Sequence, residues 1–166
     1  MRARMYSVAV LTLIAQRALG APPLPMWASE ILLPTALIVA ASLRSREWRW
    51  PYEALVLGLG WDVLLEPVVG PGGIAWSAAA LCLLALASVV ADRSTKAWVG
   101  FGAAGALVVT LVHEIALLPL GLGSSITVRH VLRTTIFSAL WCGLVSAVLA
   151  LDIPRRWRAH RVRRLR

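Results

Sequence analysis

Apolar residues in this chain gather into blocks of about 15–24, the length at which a helix crosses a bilayer. The blocks run Met5–Leu19, Ala28–Leu43, Tyr52–Glu66, Ile74–Val90, Ala97–Leu120 and Val131–Leu151, and each predicts one transmembrane helix. Between them stand Pro22, Pro23 and Pro25, then the stretches Arg44 to Pro51, Pro67 to Gly73, Asp92 to Lys96 and Gly121 to Thr127. Proline removes a backbone donor and glycine relaxes φ, so these stretches read as turns. Pro34 falls inside the second block and predicts a kink, with neighbouring groups satisfying the freed carbonyl. Trp27, Trp48, Trp50 and Trp98 flank the blocks and are expected to act as interfacial anchors.

Composition agrees with the blocks. Of 166 residues, 59% are hydrophobic and 15% charged, where a soluble domain carries roughly 25% charged residues. Too little polar surface remains to coat a water-soluble globule. A soluble enzyme, a disordered tail and a disulfide scaffold are excluded. The expected fold class is all-α, a polytopic membrane protein with about six transmembrane helices over residues 1–152 and a basic cytoplasmic tail over 153–166.

The formal net charge is +9, and its placement decides what it means. Seven arginines, Arg155, Arg156, Arg158, Arg161, Arg163, Arg164 and Arg166, crowd the last twelve residues, and most of the others border apolar blocks. Such a distribution points to anionic lipid and not to nucleic acid. With the N-terminus inside, 14 of the 17 basic residues face the cytoplasm, and only Arg17, Arg129 and Arg133 lie on the far side. Both termini are therefore expected in the cytoplasm. The first block has features of a signal peptide, but Arg17 just before Ala18-Leu19-Gly20-Ala21 fits cleavage poorly, so the block is read as a span. Cys82 and Cys142 sit inside apolar blocks and read as free packing thiols. Pro154 is expected to end the last helix, with Trp157 and the arginines lying against anionic lipid or a cytoplasmic partner.

Ionisable groups inside lipid cost at least ~2.5–3.5 kcal/mol at the bilayer centre and so need partners or water. A rise of about 1.5 Å per residue puts Asp62 roughly 15 Å up its helix from the cytoplasmic end, and Glu66 about 21 Å. Arg17, Glu30, His113 and Glu114 come out at about 20–24 Å, with Arg129 and Arg133 higher still. These residues predict a polar layer in the outer half of the bilayer, with Asp62 its deepest carboxylate. Glu30, Arg129 and Arg133, near helix ends, are expected to snorkel to the headgroups. The short side chain of Asp62 cannot, and it is expected to sit in a paired or hydrated site.

Gly58, Asp62 and Glu66 recur every four residues and so line one stripe of the third helix, with Gly58 admitting a close neighbour. Thr135, Ser138, Ala139, Cys142, Gly143 and Ser146 predict a small-residue packing face on the sixth helix. Gly100, Gly102, Ala103, Gly105 and Ala106 predict another on the fifth. His113-Glu114 begins like a zinc-protease motif, but Leu117 stands where the second histidine would be. Neither a nucleophile elbow nor a phosphate loop occurs, so no catalytic residue, metal or cofactor is expected. An outward polar pocket on six short helices also fits the substrate-binding subunit of an energy-coupling-factor vitamin transporter. The scarcity of tyrosine and the interfacial placing of tryptophans count against it.

The hairpin from Glu53 to Gly70, with Gly58, Asp62 and Gly70 in a Gly-x-x-x-Asp step followed by a short turn and a glycine, resembles the rod shape-determining protein MreD family. Glu66-Pro67 in the turn and the long arginine tail depart from that pattern. The resemblance implies a non-enzymatic scaffold of the cell-elongation machinery for peptidoglycan, in the bacterial inner membrane. It implies MreC, MreB, RodA and its transpeptidase partner as neighbours. It also implies a fold similar to that of the vitamin-transporter subunit.

Overall fold

The computed structural model describes residues 2–21, 26–44, 49–90, 94–122 and 127–163, with side chains described over 6–21, 28–43, 49–90, 94–122 and 127–150. The chain is helical: α1 (Arg2–Leu19), α2 (Met26–Ser29), α3 (Thr35–Arg44), α4 (Trp50–Leu65), α5 (Pro71–Val89), α6 (Thr95–Leu117) and α7 (Val128–Arg163). A 3-10 turn over Leu118–Leu120 extends α6. No strand occurs among the described residues. Pro71–Val89, Thr95–Leu120 and Val128–Ala150 are long and apolar enough to cross a membrane. The apolar part of α1 is shorter, and α3 and α4 run for 10 and 16 residues.

Local chemistry sets most boundaries. Pro51 and Pro71 sit in the first turns of α4 and α5, where a missing N–H withdraws nothing from the helix ladder. Ser94 caps α6, its Oγ accepting from the Ala97 N–H at 3.3 Å. Gly121, at φ 69°, closes the 3-10 turn in the left-handed region that glycine enters without strain.

Three expectations change. The second block is not one kinked helix: it breaks into α2 and α3, with Glu30 to Pro34 unwound between them. Pro34 has no N–H for the carbonyl four residues back, and side chains from α1 and α7 take over the neighbouring backbone groups. The last helix does not stop at Pro154 but runs on to Arg163. Proline withholds one rung, and the arginines and alanine that follow are strong helix formers. Trp98 is not an interfacial anchor: it is buried in the core. Trp50 is half-buried at the start of α4, and the side chains of Trp27 and Trp48 fall outside the described residues.

Short connections join α4 to α5, α5 to α6 and α6 to α7, and each helix packs along the next. Paired positions on α6 and α7 rise on one as they fall on the other (Thr95 with Ser146, Val99 with Gly143, Gly102 with Cys142), so the two are antiparallel. α3 lies against α5, α6 and α7. Val39, Trp76, Leu83, Trp98 and Phe101 fill the core, and no described side chain of α1 belongs to it. On the outer face of α7, Leu132, Ile136, Leu140, Leu144 and Val148 stand exposed every four residues, a continuous apolar ridge. Ridges of this kind are rare on water-soluble monomers and are ordinary surface in lipid.

The small-residue faces of α6 and α7 do meet. A Cβ on Gly102 would lie 2.7 Å from Cys142 Cβ, closer than side chains approach, whereas Gly100 opens onto empty space. Gly102→Ala should therefore destabilise the bundle by about 1–3 kcal/mol through overpacking. Gly100→Ala should be neutral or stabilise by up to about 1 kcal/mol through helix propensity. Unfolding curves of the two variants in the same detergent check the contrast.

Candidate functional site

Asp62 is fully buried, and its partners are backbone donors. Its Oδ2 accepts from the Gly70 N–H at 2.7 Å, and its Oδ1 from the Gly72 N–H at 2.9 Å. The Gly73 N–H approaches Oδ2 at 3.4 Å. These donors belong to the first turn of α5, where four N–H groups have no partner within the helix. A cap side chain normally supplies the acceptor, but the cap position here is Gly70, which has none. Asp62, from the last turn of α4, supplies it across the hairpin. A negative carboxylate at the positive end of the α5 dipole is favourable as well, and low dielectric strengthens both effects.

The glycines make this geometry attainable. Gly70 has φ 131° and ψ −50°, a conformation that side-chain-bearing residues rarely adopt. Gly58 lets α4 and α5 touch backbone to backbone: a Cβ there would press into the Gly72 carbonyl. A Cβ on Gly72 would occupy the place of Asp62 Oδ1. Gly58, Asp62 and Gly70, twelve residues apart end to end in the chain, thus form one tight unit. Trp61 and Trp76 flank it, ring centroids 5.5 Å apart and planes tilted by 54°.

The oxygens of Asp62 are taken by backbone donors and not by the other residues of the polar layer. Arg133 Nη1 lies 3.6 Å from Glu30 Oε1, so Glu30 is paired and largely covered, where snorkelling to the headgroups was expected. The exposed guanidinium of Arg133 lies over it, so the pair sits at the bundle surface. Arg17 and Arg129 are exposed, and Glu66, just past the end of α4, is half-buried. His113 and Glu114 are half-buried on α6, with His113 Nε2 enclosed and lacking a hydrogen-bond partner. Asp62 is thus no member of a shared ionic cluster, because backbone N–H groups occupy its oxygens. The tail arginines Arg155, Arg156, Arg158, Arg161, Arg163, Arg164 and Arg166 lie outside the residues whose side chains are described.

Sequence reasoning missed the polar residues that hold the unwound stretch. Gln16, Ser138 and Trp141 reach it from α1 and α7. Gln16 had a usable signal, because an amide deep in an apolar span needs a partner. Ser138 was read only as a packing residue. A narrow crevice lined by Thr35, Ile38, Trp76, Leu83, Gly105 and Val109 leaves no room even for a water-sized molecule. Sites that enclose drug-sized molecules run roughly 300–1,000 Å³.

Replacing Asp62 with leucine strips the acceptor from several enclosed N–H groups, each about 1–3 kcal/mol when left bare. Asp62→Leu should therefore lower the unfolding midpoint in detergent sharply, while Asp62→Asn, which keeps one acceptor oxygen, should lose about half as much or less; equal losses would contradict the capping role. No family model matches the chain, and no curated protein or solved structure matches it.

Proposed function

We propose that the chain is a non-enzymatic scaffold of the cell-elongation complex, of the kind its α4–α5 hairpin resembles. The observation that carries this reading is the Gly58–Asp62–Gly70 unit: the residues of the resemblance are the ones that seal the hairpin. A hairpin whose polar groups are spent internally presents a fixed shape, which suits docking to other membrane proteins. Asp62 then acts on assembly indirectly, by fixing the hairpin, since its oxygens are already engaged.

In this reading α1, the α2–α3 segment, α4, α5, α6 and α7 cross the bacterial inner membrane as six spans. The segment 26–44 makes one crossing despite its break, and both termini lie in the cytoplasm. The distribution of 14 basic residues against 3 supports that orientation. The fold is taken to be similar to the vitamin-transporter subunit fold. MreC, MreB, RodA and its transpeptidase partner are the neighbours the resemblance implies, and the basic end of α7 is suited to anionic lipid, at about 1 kcal/mol per arginine near the surface.

Mild-detergent extraction of the tagged full chain, followed by identification of what co-purifies, tests this. MreC or RodA should come down with the native chain and be reduced several-fold with Asp62→Leu at equal membrane levels. Recovery of an ATPase pair with a coupling subunit would instead assign the chain to vitamin uptake. Cysteines introduced near each terminus should react with a membrane-impermeant reagent only after the inner face is opened, and labelling of one end from outside would refute the orientation.

A further inference from the structure

In a continuous helix the Leu33 N–H would bond to the Ser29 carbonyl, and the Leu32 N–H to that of Ala28. Neither rung is made. The Leu33 N–H donates to Gln16 Oε1 at 2.9 Å, and Gln16 Nε2 donates to the Ser29 carbonyl at 3.5 Å. One amide from α1 therefore holds both ends of a single missing rung. The Leu32 N–H donates to Ser138 Oγ of α7 at 3.0 Å, and the Ala28 carbonyl accepts from Ile31 at 3.4 Å. The Leu33 carbonyl accepts from Trp141 Nε1 at 3.1 Å. The break is built by side chains inserted into the ladder.

We propose that the α2–α3 segment is a two-state element, broken while Gln16 is inserted and continuous when it withdraws, with Gln16 as the latch. Withdrawal leaves no new backbone group bare, because Leu33 closes on Ser29 and Leu32 on Ala28. Pro34 removes only the rung to Glu30 and is tolerated within membrane helices at the expense of a kink. The joined helix over 26–44 would be about 28 Å long, close to the roughly 30 Å hydrocarbon core. Both states satisfy the rule that backbone polar groups in lipid find partners inside the protein.

α1 is the element free to leave. Its described side chains contribute nothing to the central core, and Tyr6, Val8, Val10, Leu11 and Ile14 already face outward. Its buried residues, among those described, are Leu13, seated in a notch that Gly60 leaves open, and Gln16, 4% exposed. In lipid an apolar helix face loses little by exchanging protein for acyl chains, so the notch and the amide decide docking. A protein that captures α1 therefore rewinds the second segment, and one that favours the continuous segment releases α1, because such coupling is reciprocal.

The test uses the full chain in lipid nanodiscs with Cys82→Ser, Cys142 being sealed in the core. Spin labels at Gly20 and Leu122, both exposed, report where α1 stands relative to α6. The native chain should give one main distance, with any second population under about a tenth, and Gln16→Leu should move about half or more of the signal to a longer distance. The Leu33 amide should stay protected from exchange in that variant, since Ser29 now holds it. Ser138→Ala, on α7, should shift the α1 distance the same way. An unchanged distance in both variants overturns the proposal, as does displacement of α1 with the Leu33 amide exposed.

Discussion

In a bilayer every backbone N–H and C=O must find its partner within the protein, and this chain meets that constraint at two places where its helices are interrupted. At the α4–α5 turn, a carboxylate eight to eleven residues back in the chain takes the N–H groups that begin α5. At the α2–α3 break, an amide from α1 and a hydroxyl and an indole from α7 take backbone groups of Ser29, Leu32 and Leu33 that the unwound turn releases. Each bond alone is modest, but the alternative is a bare polar group in hydrocarbon, and that asymmetry gives both places their weight.

The two interruptions differ in what they permit. The hairpin is closed by close contacts: the backbones of Gly58 and Gly72 touch, and Asp62 Oδ1 stands where a Gly72 side chain would be. The break is closed by a side chain that stands where a helix rung could form. On the proposed reading of the chain as a scaffold, the α4–α5 hairpin would supply shape and the α2–α3 segment, if coupled to α1 as proposed, a means of registering a neighbour.

Much of this was readable from the residues. Block length and breakers set the helices, because apolar runs bounded by proline and glycine have few other folds available in lipid. Gly58 and Asp62 stand out through a spacing that a helix preserves, and Gly70 through the resemblance of the hairpin. Their partners were not readable. Asp62 was expected among arginines, since a charge suggests an opposite charge, whereas the nearest unmet demand came from helix N–H groups that carry no sequence letter. The Glu30–Arg133 pair joins residues far apart in the chain, and one sequence holds no sign of that contact. The second block reads as one kinked helix because proline is tolerated within membrane helices, whereas the side chains that hold the break open, Gln16 and Ser138, lie far away in the chain.

Exchange of the Gly72 amide probes the internal cap most directly. In the native chain in lipid, that amide should be among the slowest of those outside the helix interiors, and Asp62→Ala should speed it by orders of magnitude while α6 and α7 remain protected. A Gly72 amide that exchanges freely in the native protein, or whose rate ignores residue 62, would contradict the account.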